Sequence, residues 1–156
     1  MATQDDNSLG RLIVKWPRLF HGKAPPSSDL PAGWIGLVDE LCADIDSMLT
    51  DDAATEFEVT QIKEMFGGLR FYVRSEGEED IYIDAGSDEG RETIVRRADV
   101  GPASVIPRVS KLVEDAMRRS TLTCMTCGEP GQTGTFGGWV ATLCERHAAE
   151  RRERQR

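Results

Sequence analysis

Four residues near the C-terminus constrain the fold more than any other feature: Cys124 and Cys127, then Cys144 and His147. Zn²⁺ takes four soft or borderline ligands in a tetrahedron, and two close pairs separated by a short excursion are how one small stretch of chain supplies them. In Cys124-Met-Thr-Cys127 both sulfurs can turn toward one point, and Gly128 gives the backbone freedom that such a knuckle needs. In Cys144-Glu-Arg-His147 the ligands lie three apart, so they share a face at the start of a helix. Between the pairs, Gly131, Gly134, Gly137 and Gly138 predict a short β-hairpin, with Trp139 and Val140 packing over the metal. Knuckle, hairpin and helix make a treble-clef-like zinc lobe over residues 121–150, followed by a tail at 151–156 that frays. One structural Zn²⁺ is therefore the expected cofactor. All four positions are filled by protein, which leaves no open coordination site. Such an ion contributes ~10–16 kcal/mol to the folding of a small module. The competing readings are buried thiols with an incidental His, or a Cys124/Cys127 redox couple; no βαβ unit surrounds the latter.

The rest of the chain reads as an α+β domain over residues 11–120: a small antiparallel sheet packed on two helices. Residues 1–10 are polar and are expected to be disordered; Leu12-Ile13-Val14 fits a short strand or a helical turn. A first helix is predicted from near Pro31, capped by Ser28 or Asp29. Its apolar stripe is Trp34, Leu37, Val38, Leu41, Ile45, Met48 and Leu49, and Thr50-Asp51-Asp52 ends it. Cys42 lies beside the stripe and reads as a buried thiol. A second helix follows Gly101-Pro102, with Val109, Leu112, Val113, Ala116 and Met117 inward, Pro107 in its first turn and Arg118 and Arg119 at its end.

Between the helices, Phe57–Phe66 and Leu69–Arg74 flank Gly67-Gly68 and predict a hairpin with a two-residue turn. That turn pairs Phe66 with Leu69 and Ile62 with Val73, and puts all four on the buried face. Phe57 and Val59 fall out of phase with Ile62, so a bulge or register change is expected near Thr60. A helical turn over Gln61–Phe66 is the alternative. Residues 76–92 are acidic, with strands expected at Ile81–Ile83 and Thr93–Val95; they read as a solvated loop between edge strands rather than a cation site.

These motifs together resemble an uncharacterised family of small bacterial and phage proteins. Its members typically read K-F-G-x-L-R-F-Y, then a helix, then a CxxCG…GW..TLC..H finger. Here the matching residues are Met65-Phe-Gly-Gly-Leu-Arg-Phe-Tyr72, Cys124-x-x-Cys127-Gly128 and Gly138-Trp139…Thr142-Leu143-Cys144-x-x-His147. Met65 stands where the family usually has Lys, and Gly33-Trp34 matches an upstream Gly-Trp that opens a helix. The resemblance covers roughly residues 30–147 and implies an origin in a phage or mobile element. It implies no activity.

The chain has no nucleophile elbow, P-loop or dinucleotide fingerprint, and His21 stands alone in a loop, so an enzyme is not expected. No small-molecule substrate is evident. A net charge of −8 disfavours a whole-surface nucleic-acid binder. The expected function is binding of a protein partner, for instance as a phage or mobile-element modulator of a host defence system. Nucleic-acid binding is the alternative: Lys63, Arg70, Tyr72 and Arg74 would form a basic, aromatic strand face, and Arg146, Arg151, Arg152, Arg154 and Arg156 a cationic tail. A third reading makes the acidic stretch a DNA mimic. The polar start has no signal-like apolar region, and no window holds eighteen consecutive apolar residues, so a reducing cytoplasm and no membrane contact are expected.

Overall fold

The computed structural model describes residues 4–75, 83–84, 93–94 and 105–156, with side chains over 9–75 and 105–156. Helices and short antiparallel strands alternate along the chain. In order they are α1 (Gln4–Lys15), α2 (Pro17–Phe20), a 3-10 turn (Ala32–Trp34), α3 (Ile35–Met48), α4 (Asp51–Glu56), β1 (Phe57–Met65), β2 (Gly68–Ser75), β3 (Ile83–Asp84), β4 (Thr93–Ile94), α5 (Ile106–Ser120), β5 (Gln132–Phe136), β6 (Trp139–Leu143) and α6 (Glu145–Glu153). The strands pair as three antiparallel hairpins, β1 with β2, β3 with β4, and β5 with β6. The expected α+β class, with helices on a small sheet and a C-terminal Cys/His lobe, is the one observed.

Hydrophobic burial organises two clusters. In the body, Leu37, Val38, Leu41, Cys42 and Ile45 of α3 meet Val109, Val113, Ala116 and Met117 of α5 over Phe57, Val59, Ile62, Leu69, Phe71 and Val73 of the β1–β2 hairpin. The periodic stripes of both helices are thus the buried ones. The lobe has its own cluster of Phe136, Ala141, Leu143 and Ala148 around Cys124 and Cys144. Met125 packs against both clusters.

The start of the chain corrects an expectation of disorder: residues 4–10 are helical and continue through Lys15. Leu12 is buried, with Leu9, Ile13 and Trp16 packed beside it, a spacing of three and four that the polar neighbours obscure. Trp16 Nε1 and Lys15 Nζ both donate to Asp39 on α3, each at 2.8 Å. His21 is exposed in the turn after α2, and its Nε2 lies 2.6 Å from the Phe57 carbonyl. Three more local readings change. Ser28 and Asp29 do not cap α3. Instead Ser28 Oγ accepts from Ile62 N at 3.0 Å, and Asp29 N donates to Ile62 O at 2.8 Å, closing the edge of β1. Thr50 starts a helix as well as following one, because its Oγ1 accepts from Ala53 N at 3.1 Å and caps α4. Most of the acidic stretch lies outside the described residues; within it the strands expected at Ile81–Ile83 and Thr93–Val95 are seen at Ile83–Asp84 and Thr93–Ile94.

The β1–β2 register is the main correction. Met65 pairs with Gly68, Ile62 with Phe71 and Gln61 with Tyr72, so the two turn residues are Phe66 and Gly67, not Gly67 and Gly68. Both have positive φ, 52° and 78°, as a primed turn demands. Glu64 Oε1 accepts from Gly67 N at 2.7 Å and braces the turn. Phe66 therefore leaves the buried face and is 73% exposed. The expected irregularity near Thr60 is present: the register shifts between Val59 and Gln61, which returns Phe57 and Val59 to the same face as Ile62. A left-handed Phe is unfavourable by about 1–2 kcal/mol. Phe66→Asn is accordingly expected to stabilise the fold by about 0.5–1 kcal/mol in urea unfolding, since Asn tolerates that backbone and Phe66 has no burial to lose.

Candidate metal centre

The four ligands arrive from three directions. Cys124 and Cys127 lie on the knuckle after α5, Cys144 follows β6, and His147 sits in the first turn of α6, which Cys144 N-caps. Hydrogen bonds fold the knuckle back on the hairpin. Cys124 N donates to Glu129 O at 2.7 Å, Gly128 N to Cys124 O at 2.9 Å, and Met125 N to Thr142 O at 2.9 Å. Gly128 takes φ +81°, a left-handed position that glycine fills at no steric cost.

One donor atom from each of the four residues lies within 4.8 Å of the others, so the cluster can hold a metal ion. With bonds of about 2.3 Å to sulfur and about 2.0–2.1 Å to nitrogen, a tetrahedral zinc site has edges near ~3.8 Å (S–S) and ~3.5 Å (S–N). The Cys127–Cys144 sulfurs are 3.8 Å apart and the Cys124 sulfur is 3.5 Å from His147 Nδ1. The Cys144 sulfur, 3.1 Å from the same nitrogen, makes the one short edge among these. The donor set thus fits zinc in both type and spacing. Nδ1 faces the sulfurs and is the nitrogen that would hold the ion, while Nε2 lies 3.5 Å from the Arg146 guanidinium.

Electrostatics at the sulfurs favour a cation. Burial raises the Cys124 thiol, but backbone N–H groups of Cys144, Cys127 and Thr126 outweigh it and bring the thiol down to about 6. At Cys127 the Glu129 N–H favours the thiolate. Desolvation and the neighbouring Cys124 and Cys144 sulfurs oppose it, and the thiol is raised. Three sulfurs crowded together without a cation repel one another as thiolates, and a divalent ion removes that conflict. Cys127 is the exposed member, while Cys124 and Cys144 are buried.

Trp139 corrects the expected cover of the metal: it is 62% exposed, and Phe136, Ala141, Leu143 and Ala148 fill the space beside the cysteines. Cys42 is the buried thiol it was expected to be, at 0% exposure. Burial first, then the Asp39 and Asp46 charges, push it up to about 12. Thiol counting follows from this. In metal-loaded native protein Cys42 is expected to stay unreactive to an alkylating agent, while chelation adds the three ligand cysteines. Alkylation of Cys42 before global unfolding would show the core to be looser than described.

The lobe is keyed into the body at two places. The first is at Gly33. Its N–H donates to Met125 O at 2.8 Å, and Trp34 Nε1 donates to Thr123 O at 2.8 Å. A Cβ on Gly33 would lie 2.0 Å from the Cys124 carbonyl oxygen and 2.8 Å from Gly128 N. The second is at the hairpin tip, where Thr142 Oγ1 donates to Gly67 O at 2.6 Å. Within the body, Ser120, fully buried, ties the end of α5 to β2 just before the chain enters the lobe, its hydroxyl accepting from Leu69 N at 2.9 Å. Sequence reasoning singled out the Gly-Trp, Gly-Gly-Leu and Thr-Leu-Cys motifs but missed their common role. Small or hydroxylated residues in all three are the available signal, because each sits where two backbones approach closely.

The strand face expected to bind a partner is placed differently in its parts. Arg70 is 6% exposed, with one guanidinium nitrogen 3.5 Å from Leu69 O. Arg74 pairs with Glu58 at 2.6 Å, and Lys63 lies over the Tyr72 ring at 5.9 Å. Of the tail arginines, Arg152 stacks over Phe136 at 5.3 Å. α6 extends to Glu153, so residues 151–153 of the tail expected to fray are helical.

Comparison with known protein families, characterised proteins and solved structures finds no match for this chain. Among the described residues, no helix is long and apolar enough to cross a membrane.

Proposed function

We propose that this chain is a small non-enzymatic protein-binding module, shaped by one structural zinc, that acts as a phage or mobile-element modulator of a host system in the cytoplasm. The observation that carries the reading is Phe66. A bulky apolar side chain stands 73% exposed at the tip of a turn whose backbone disfavours it. Leu122 at 63% and Trp139 at 62% are the other large apolar side chains exposed at the lobe end. Phe66 adjoins Gly67, which docks on the lobe, and the Leu122 carbonyl holds Gly131 N. Exposed aromatics on a rigid frame are the usual anchors of a protein interface. Four protein ligands close the metal site, which suits a structural ion rather than a catalytic one.

The test uses the full-length zinc-loaded protein as bait in its native host, alongside Phe66→Ser and Trp139→Ser. A partner captured by the first and lost with the variants, at unchanged metal content, is the expected result. Capture indifferent to both variants would remove the role of these anchors.

Nucleic-acid binding through Lys63, Arg70, Tyr72, Arg74 and the tail remains a second reading, favoured by one observation. Arg146, Arg151, Arg154 and Arg156 make no ion pair among the described residues. Salt-dependent binding of a labelled DNA or RNA strand, weakened by Arg151→Ala and Arg154→Ala, would favour it over protein binding.

A further inference from the structure

We infer that the metal centre is also a peroxide-sensitive switch: Cys127 is the sulfur oxidised, Cys144 is the sulfur that closes a disulfide with it, and loss of the ion then frees the lobe from Gly33 and Trp34. The inference rests on the structural-zinc reading and adds a regulation to that site.

Exposure sets Cys127 apart from the other thiols. Cys42, Cys124 and Cys144 are buried, whereas Cys127 is exposed, and so are its neighbours Thr126, Gly128 and Glu129. Trp139, expected as cover for the metal, is itself 62% exposed. Oxidation of a cysteine follows its thiolate character and its access, and a reversible sensor sets a second sulfur beside the first. Coordination holds Cys127 as a thiolate. The second sulfur is Cys144 Sγ, 3.8 Å away. Hydrogen peroxide is small enough to reach a sulfur that coordination keeps from a bulkier alkylating agent.

The chemistry balances in two steps. Cys127 Sγ attacks one peroxide oxygen; the S–O bond forms, the O–O bond breaks, and hydroxide leaves. Cys144 Sγ then attacks the Cys127 sulfur; the S–S bond forms, the S–O bond breaks, and a second hydroxide leaves. Each hydroxide takes a proton from solvent. Two thiolates, one peroxide and two protons thus give one disulfide and two waters, the sulfurs losing the two electrons that the peroxide gains.

That product leaves Cys124 and His147 as the remaining ligands, two where a structural zinc takes four. Cys124 is the ligand at the docked end of the knuckle. A Cβ on Gly33 would meet its carbonyl oxygen at 2.0 Å, Gly33 N donates to Met125 O, and Trp34 Nε1 donates to Thr123 O. Oxidation at the exposed end of the knuckle therefore removes the ion from the end that holds the body. The body's own thiol, Cys42, is at 0% exposure, which confines the disulfide chemistry to the lobe.

The test treats the full-length zinc-loaded protein with hydrogen peroxide. Zinc release is followed with a colorimetric indicator, disulfides by peptide mass mapping, and the Gly33 amide by hydrogen exchange. One zinc per chain at the start, released as a Cys127–Cys144 disulfide forms and Gly33 loses protection, is the expected result. A dithiol reductant with added zinc should reverse all three changes. Cys127→His keeps a four-ligand set without the exposed thiol and should slow release about tenfold or more. Cys124→His keeps the reacting pair and should still form the disulfide. Mapping on the unaltered protein decides the case even where a variant binds zinc poorly. Zinc retained under peroxide, a disulfide that joins Cys124 instead, or a Gly33 amide still protected after zinc has left overturns the switch while leaving the structural zinc intact. Protein that holds no zinc before peroxide is added overturns both.

Discussion

Chelating the metal from the full-length protein is expected to melt the lobe and leave the body folded but weaker. The lobe cluster is small: beside its two buried cysteines it contains Phe136, Ala141, Leu143 and Ala148. Burying four such side chains contributes only several kcal/mol at about 25 cal/mol per Å², whereas a structural zinc contributes ~10–16 kcal/mol, so the metal is the larger stabilising term in the lobe. The body differs, because its cluster spans α3, α5 and the β1–β2 hairpin. It loses only the keyed contacts at Gly33-Trp34 and at Gly67. The expected record is a two-step thermal profile for the chelated protein, with loss of ordered signals confined to residues 121–156 and a body transition lowered by several degrees. Cys144→Ser should reproduce the chelated state without chelator, since it removes a buried ligand that is also the N-cap of α6. A chelated protein with a single unchanged transition would mean that the lobe stands on packing alone.

The second large effect is at Gly33. Gly33→Ala puts a methyl group 2.0 Å from the Cys124 carbonyl oxygen and 2.7 Å from the Met125 carbonyl carbon. Both neighbours are backbone of the knuckle, so neither can rotate away. The helix start and the metal loop must separate, and the Gly33–Met125 and Trp34–Thr123 bonds go with them. Overpacking of this kind costs about 1–3 kcal/mol or more, with about 1 kcal/mol for each lost bond. A destabilisation of about 3–5 kcal/mol in denaturant unfolding, with weakened metal retention, is expected. Gly36→Ala, three residues on, is the matched control. A Cβ there meets nothing within 4 Å and lies in α3, so the change should be neutral or stabilising by up to about 1 kcal/mol. Equal effects at the two glycines would contradict the docking geometry.

The ligands were legible because metal geometry acts through local spacing: Cys124, Cys127, Cys144 and His147 need only two short motifs and a return. The helices were legible where the period was clean, as in α3 and α5. Even the bulge at Thr60 showed, because Phe57 and Val59 would otherwise sit on the wrong face. The hairpin register did not show. Gly67-Gly68 is the better local turn, yet the chain turns at Phe66-Gly67. Contacts distant in sequence hold that register: Ser28 and Asp29 on Ile62, Ser120 on Leu69 and Thr142 on Gly67. No local preference encodes them. α1 was hidden by polar residues around its stripe, and α4 by the shared chemistry of stops and starts, since Thr50 serves both. The depth of Arg70 was equally invisible, because strand alternation places it on the solvent side and only tertiary cover buries it.

The central claim is that a metal-organised lobe is keyed to the body through Gly33 and Trp34. Hydrogen exchange on the full-length protein, with zinc and after chelation, measures it directly. One zinc per chain, with slow exchange at the Gly33 amide and the Trp34 indole that becomes fast on chelation while the Ile62 amide stays protected, is the predicted result. Metal content well below one per chain, or protection at Gly33 and Trp34 that survives chelation, would contradict it.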